Sequence, residues 1–572
     1  MTATNPMNMI WKEHEANPRL QKVLCEALGI SGVFAQLLIN RGIRTPDAAK
    51  MFLFGTLDEC HDPFLMKDMA KAVDRVHKAV AKKEKILVYG DYDVDGVTSV
   101  AILSTIFDFL EANYETFIPN RLEEGYGMNI RAVARAREDG VKLIVTVDCG
   151  INSKEEVKCA NDYGIDVIIT DHHEIKEGEE LPNAYAIIDT HQKDCKYPFK
   201  HLAGVGVAYK LARALMKSNE KKVDELLDLV ALGTVADVAP QLGENRILTK
   251  AGLRELQDTT RPGLKALMEV ARVNPETLAC SHIGFALAPR INAMGRVGSA
   301  NVALELLLCK EKMKARELAR TLDKENRNRQ SIEKDILKQA SGRAGKELDI
   351  KKDRAIVLAD EAWHPGVLGI VASRLTEEYN VPVILFSIEG DVAKGSGRSI
   401  DGFNLFEAIM EAKDDLIDFG GHEAACGVKV KRENIDKFKK NFNGIAKRFF
   451  TNIEEILPEL RIDLNLPFGH VGLKLLNELR LLMPYGPGNS APIFSSRALT
   501  VKNNPREIGK SGFKFLANCG SLTCEAVTFK KNLVTKPSQG NVIDLAYTPS
   551  VNSWQGIDTI QLNIKDLQVV KS

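Results

Sequence analysis

Three carboxylates at alternating positions, Asp91, Asp93 and Asp95, close the stretch Lys85-Ile-Leu-Val-Tyr-Gly-Asp-Tyr-Asp-Val-Asp-Gly96. Like charges this close oppose one another's ionisation unless a cation or several N–H donors neutralise them. Metal binding is the chemistry they predict. Asp-x-Asp-x-Asp-Gly also opens a calcium-binding helix–loop–helix, but that motif has a helix leading in and a bidentate Glu at its twelfth position. Here the twelfth residue is Ile102 and an apolar run leads in, so the calcium reading fails.

Three further polar points belong with this turn: Val147-Asp148-Cys-Gly150, Thr170-Asp171-His172-His173, and Asp237 within Gly233-Thr-Val-Ala-Asp-Val-Ala-Pro240. Asp237 stands among small apolar residues, where an unpartnered carboxylate is costly. Asp93, Asp95, Asp148, His172 and Asp237 together offer four oxygen ligands and one nitrogen, with Asp148 free to bridge. Asp91 is a further ligand or an acceptor beside them. An oxygen-rich set with one imidazole suits Mn²⁺ or Mg²⁺ better than zinc. Two such ions about 4 Å apart would hold both the attacking and the leaving oxygen of a phosphoryl displacement.

The elements that must position these groups are legible from periodicity. Apolar runs at 86–89, 116–118, 143–147 and 166–169 alternate with helical spacing, including a helix over 97–110, so residues 85–189 read as a parallel α/β sheet. In such sheets ligands gather at the carboxyl ends of the strands. Three of the runs end in the polar points above, which predicts one shared crevice. Before this unit, helices are predicted over 18–28, 32–40 and 69–81, as a cap packed on the sheet domain.

After it, residues 299–344 read as one long charged helix or two in series. A second α/β unit follows, with strands at 355–359 and 383–386 and a helix over 367–378. Gly395-Ser-Gly-Arg-Ser399 and Gly420-Gly-His-Glu423 read as glycine-rich loops able to approach phosphate. Short strands at 461–466, 493–501, 513–517, 522–529, 542–547 and 559–564 predict a small β-barrel. Residues 502–536 carry seven Lys or Arg against two acids, with Phe513, Phe515 and Phe529 interleaved, as in a barrel that attracts a strand's backbone and stacks its bases. Core phenylalanines with a charged rim are the competing explanation.

The length of 572 residues predicts several domains. Basic and acidic residues balance at 77 each, which excludes a global field drawing the chain to nucleic acid or membrane. The ten cysteines lack metal-ligand spacing and read as reduced thiols. No membrane span or secretory leader is evident, so a soluble, cytoplasmic protein is expected.

The Asp171-His172-His173 triplet resembles the signature of the DHH phosphoesterase superfamily. Arg41-Gly-Ile, Ile118-Pro-Asn-Arg-Leu-Glu-Glu-Gly-Tyr-Gly127, Arg290-Ile-Asn-Ala-Met-Gly-Arg296, Gly395-Ser-Gly-Arg398 and Gly420-Gly-His422 are similar to its RecJ branch, in the same order. The resemblance implies an α/β fold: a helical cap (1–80), a parallel-sheet DHH catalytic domain (81–298), a linking helix (299–345), a DHH-associated clamping domain (346–454) and a C-terminal OB-fold barrel (455–572). It implies a 5′→3′ exonuclease on single-stranded DNA that releases 5′-mononucleotides with two Mn²⁺ or Mg²⁺ ions, in recombination and repair. Asp93, Asp95, Asp148, His172 and Asp237 would hold the ions, and His173 would contact the scissile phosphate. Arg121, Arg290, Ser396 and Arg398 would hold the terminal phosphate and His422 the strand, with Asn292, Arg296 and Gly421 beside them. Arg296 could equally be a structural ion-pair partner. Single-strand DNA-binding protein and recombination or mismatch-repair factors are implied partners of a monomer. Two alternatives stand: a DHH phosphodiesterase of short oligonucleotides or cyclic dinucleotides, and a non-catalytic strand-binding scaffold.

Overall fold

Five parallel strands form the sheet that carries the carboxylates, in the order Tyr114–Phe117, Lys85–Gly90, Val141–Val147, Asp166–Thr170, Ala186–Ile188. In this computed structural model the described residues are 9–120, 124–125, 127–175, 178, 180–347, 353–450, 457–509, 512–529, 535–554 and 557–570. The four predicted runs are strands, and Ala186–Ile188 is a fifth that its three residues concealed. Helices cover both faces, so Ile86, Val88, Leu143, Val145 and Ile168 are buried on one side and Leu87, Ile144, Val167 and Ile169 on the other. Burial on both faces explains why these strands read as unbroken apolar runs.

The helix expected from residue 97 begins earlier, at Val94–Phe109. Asp93 is its N-cap, and Asp95 lies inside its first turn instead of in the loop. Aspartate is favoured at both places, because it answers unpaired N–H groups and the positive end of the helix.

The linking stretch is two helices, Asn301–Leu308 and the 36-residue Lys312–Glu347. The second unit is a mixed sheet in the order Leu416–His422, Ala425–Lys431, Val392–Arg398, Val383–Glu389, Ile356–Asp360, with only the last pair parallel. The two glycine-rich segments are therefore not loops. Gly395 to Arg398 and Gly420 to His422 are strand residues, each paired with the strand Ala425–Lys431. Glycine there serves close packing: Gly421 has φ +138°, and a Cβ on it would meet the backbone of Ala425 and Cys426.

The C-terminal strands Phe494–Val501, Val542–Trp554, Ile557–Val569, Leu522–Thr528 and Gly512–Cys519 close on themselves, since the first also pairs with the last. The predicted helices Pro18–Leu28 and Gly32–Asn40 are present, but they do not cap the catalytic sheet. Leu24, Phe34, Leu38 and Phe52 share one core with Leu466, Leu479, Phe494 and Ile543 of the barrel region. Residues Ile10–Glu13 also pair in parallel with Glu459–Ile462. Helical periodicity shows which face is apolar but not which partner covers it. Of the three predicted helices, Met69–Ala81 is the one that lies in the core of the catalytic sheet. All ten cysteines are free, and no single described helix is long and apolar enough to cross a membrane.

Candidate metal centre and nucleic-acid interface

The ends of three neighbouring strands and the end of the helix Leu227–Ala236 bring the predicted acids together. Ligand atoms of Asp91, Asp93 and Asp148 lie within 4.8 Å of one another, as do those of Asp95, His172 and Asp237. A third such set joins Asp148, His172 and His173. His172 Nε2 is 3.1 Å from Asp148 Oδ1 and 3.7 Å from Asp95 Oδ2, and its Nδ1 is 4.0 Å from Asp237 Oδ2. Asp148 thus stands between the two acidic sets. Each set could hold one cation, with Asp148 reaching both.

The backbone is strained where these groups are placed. Asp148 has φ +60°, and so does Val238, the residue after Asp237. A left-handed conformation costs a residue with a Cβ about 1–2 kcal/mol, and such positions cluster where a site needs an unusual side-chain direction. Asp95 is held from the opposite side: its two oxygens accept the N–H groups of Gly204 and Val205 at 2.7 Å each. These residues open the helix Gly204–Leu215, so the carboxylate also meets a helix's positive end.

Electrostatics fits a cation site. Burial, then the neighbouring carboxylate of Asp237, pushes Asp95 up to about 7. Burial raises Asp237 to about 6 against the opposing pull of His172, and burial and Asp95 push Asp148 well above the usual carboxylate range. Without a compensating charge these acids hold their protons to higher pH than an ordinary carboxylate; a divalent cation would favour their ionised form.

Asp171 does different work. Its Oδ1 accepts the N–H groups of His172 (2.8 Å) and His173 (3.2 Å) and the His173 ring Nδ1–H (2.6 Å), while Oδ2 accepts the Ile151 N–H (2.9 Å). Burial alone would raise this acid, but the His173 bond overrides it and holds Asp171 at about 2. Reciprocally, Asp171 lifts His173 to about 9 against its own burial. Sequence reasoning gave Asp171 no role beyond its motif; its position before two histidines at a strand end was the available signal. Gly204 was also missed, and nothing in its local sequence points to Asp95.

The clamp residues are more dispersed. Arg290 donates to Asp323 on the long helix (Nε, 3.0 Å) and to the Ala286 carbonyl (Nη1, 2.6 Å). Asn292 Oδ1 accepts the Val94 N–H at 3.1 Å, so it steadies the carboxylate turn. Arg296 Nη1 donates to the Gly366 carbonyl at 3.1 Å, joining the two α/β units. Arg398 donates to the Gly397 carbonyl (2.7 Å) and to Ser396 Oγ (3.3 Å). Ser396 and Arg398 lie against Gly369 in the first turn of the helix Leu368–Tyr379. Gly421 and His422 end the exposed edge strand Leu416–His422. Arg121 lies outside the described residues, as do Lys510, Lys530 and Lys531 of the basic barrel segment.

Of the three barrel phenylalanines singled out in the sequence, Phe513 and Phe515 are core residues and Phe529 is 67% exposed. Lys514 and Lys536 are paired with Glu525 and Glu507, so each of the segment's two acids is matched by one lysine.

Family models match three parts of the chain: the DHH family, N-terminal domain at 85–234, the DHHA1 domain at 352–448 and the RecJ OB domain at 462–566. The single-stranded-DNA-specific exonuclease RecJ of Bacillus subtilis is 39% identical over 98% of this chain and 71% of its own. The chain belongs to the RecJ family. The Escherichia coli RecJ is 35% identical over 93% of this chain and 95% of its own. The crystal structure of Thermus thermophilus RecJ in complex with Mn²⁺ superposes with a TM-score of 0.83 at 30% identity, covering 99% of this chain and 80% of that one. The RecJ-family sequence thus carries this α/β fold with its acidic crevice and OB barrel intact.

Proposed function

We propose that this chain is a single-stranded-DNA-specific exonuclease that works from the 5′ end, releasing 5′-mononucleotides by two-metal phosphodiester hydrolysis. The observation that carries this reading is the pair of acidic sets around Asp148, one with Asp91 and Asp93 and the other with Asp95, His172 and Asp237, in a chain of the RecJ family. Buried carboxylates that resist ionisation in one another's presence fit divalent cations, and the oxygen-rich donor set fits Mn²⁺ or Mg²⁺. Solved RecJ structures hold one or the other. Such ions supply charge to the attacking and departing oxygens.

The chain's own residues do the rest. Asp171 accepts the His173 Nδ1–H, which orients the ring and favours its protonated form, and the Nε2–H would donate to an oxygen of the scissile phosphate. Arg290, Ser396 and Arg398, with Arg121, would grip the terminal phosphate, for which the guanidinium fork is suited. Asn292 holds the carboxylate turn, Arg296 ties the second unit to the first, and Gly421 lets the edge strand present His422 to the strand.

The barrel and its N-terminal helices would receive the downstream strand. We divide the chain at 80/81, 298/299, 345/346 and 454/455, with the helices Pro18–Leu28 and Gly32–Asn40 as companions to the barrel. A cytoplasmic monomer acting in recombination and repair, with single-strand DNA-binding protein and mismatch-repair or recombination factors as partners, completes the reading.

The test is digestion of end-labelled oligonucleotides with Mn²⁺. The 5′ label should leave a single strand first, as a mononucleotide. Label leaving first from the 3′ end, or equal attack on blunt duplex, would overturn the direction or the strand preference.

A further inference from the structure

One aromatic ring has no place in the fold. Phe285 is 86% exposed, the most exposed large apolar side chain among the described residues. It lies in a single π-helical turn, Ile283–Leu287, between the short helical turn Cys280–His282 and the helix Ala288–Val297. Wide turns of this kind are rare and recur at functional sites. Here the turn buries Ile283 and Leu287 completely while putting Phe285 into solvent.

The position of this helical run in the molecule gives the ring a purpose. In the helix that continues it, Asn292 accepts the Val94 N–H of the carboxylate turn, and Arg290, proposed above as a phosphate ligand, donates to the carbonyl of Ala286, next to Phe285. Just before it, the 3₁₀ turn Pro275–Thr277 packs on the helix Gly243–Gln257. That helix carries Arg246, which donates to the carbonyls of Leu481, Leu482, Met483 and Pro484 beside the barrel. The π turn itself packs against the helix Leu227–Ala236, whose C-cap is Asp237 and whose next residue, Val238, is 65% exposed. Phe285 therefore lies on the helical run that carries Arg290 and Asn292, in a turn packed against the helix that ends at Asp237.

We infer that Phe285 is a stacking platform for a base of the single strand close to the metal centre. This rests on the proposed exonuclease reading. A base offers an apolar face whatever its identity, and stacking on an aromatic ring is how proteins hold single strands without reading sequence. The neighbouring Gly284, with nothing within 4 Å of a Cβ built on it, leaves room for a flat group beside the ring.

The experiment uses the full chain with Mn²⁺ and 5′-phosphorylated oligothymidylates, intact or with one abasic unit moved along the first six positions. Phe285→Ala should raise KM roughly 5- to 20-fold, and Phe285→Trp should restore it, with indole fluorescence quenched on strand addition. At one position an abasic unit should weaken binding by the wild-type chain and add nothing to the Phe285→Ala defect. An unchanged KM in Phe285→Ala, or a defect equal on intact and abasic strands at every position, overturns the platform while leaving nuclease activity standing. Absence of hydrolysis of any single strand by the wild-type chain overturns both. Because the ring is exposed, unfolding of Phe285→Ala would itself contradict the assignment.

Discussion

Gly204 stands so close to Asp148 that a Cβ on it would lie 2.6 Å from the Asp148 carboxylate Oδ1. The same residue's N–H holds Asp95. One glycine thus sets the clearance of two acids that are far from it in sequence.

Gly204→Ala should therefore displace Asp148 while leaving the helix formed. A shift approaching 1 Å in a reacting constellation can cost about 10²-fold in rate. We expect a fall in kcat of that order with an unchanged circular dichroism spectrum, read by single-turnover digestion of a labelled strand.

Metal binding should depend steeply on pH. Asp95 is raised to about 7 and Asp237 to about 6, so at pH 5.5 protons compete with the cation. A raised carboxylate also makes the metal-free fold less stable as pH climbs from its unfolded value near 4 towards the folded one, because the folded state holds the proton longer. Saturating Mn²⁺ should consequently raise Tm more at pH 8 than at pH 5.5. Equal increments at both values would contradict the assignment of these acids to the cation sites.

His173 provides a second test of pH response. Held at about 9 by Asp171, its ring stays protonated through neutrality. Its contribution to stability is present below the ordinary histidine value and is lost as pH rises through 9. Asp171→Asn removes the partner, so the ring should lose its proton nearer its ordinary value of about 6.5. The variant's kcat should fall between pH 6.5 and 8, where the wild-type rate is flat, in a pH–rate profile at saturating Mn²⁺.

Arg246 is the joint between catalytic domain and barrel. Its guanidinium is buried and donates to five carbonyls, those of Phe52, Leu481, Leu482, Met483 and Pro484. Orphaning a buried carbonyl costs about 1–3 kcal/mol, and water can rescue only some of them. Arg246→Met should lower stability by at least ~3 kcal/mol and open the 457–490 region to protease. Lysine, with a single ammonium, should recover only part of the loss.

Much of this was legible in the sequence because it is local. Strands buried on both faces show as apolar runs, and acids at their ends mark the crevice. What escaped is whatever depends on distant partners. Asp95 meets Gly204 across more than a hundred residues, and Phe513 and Phe515 were offered as strand contacts because alternation alone does not say which face of a barrel strand is inside. The glycine-rich segments looked like loops because glycine at a close packing contact and glycine in a turn are written with the same letter.

Residues 24 to 53 bury their apolar face in one core with residues 466 to 567, and among the described residues the strand Ile10–Glu13 finds its edge only at Glu459–Ile462. A chain leaving the ribosome from its N-terminus must therefore carry that greasy helical segment unsheltered while more than four hundred residues are translated. The catalytic sheet can form in the meantime. Nascent chains stalled before the barrel emerges should be clients for chaperones, and a ribosome-release time course would find the early helices to be among the last parts to gain protection.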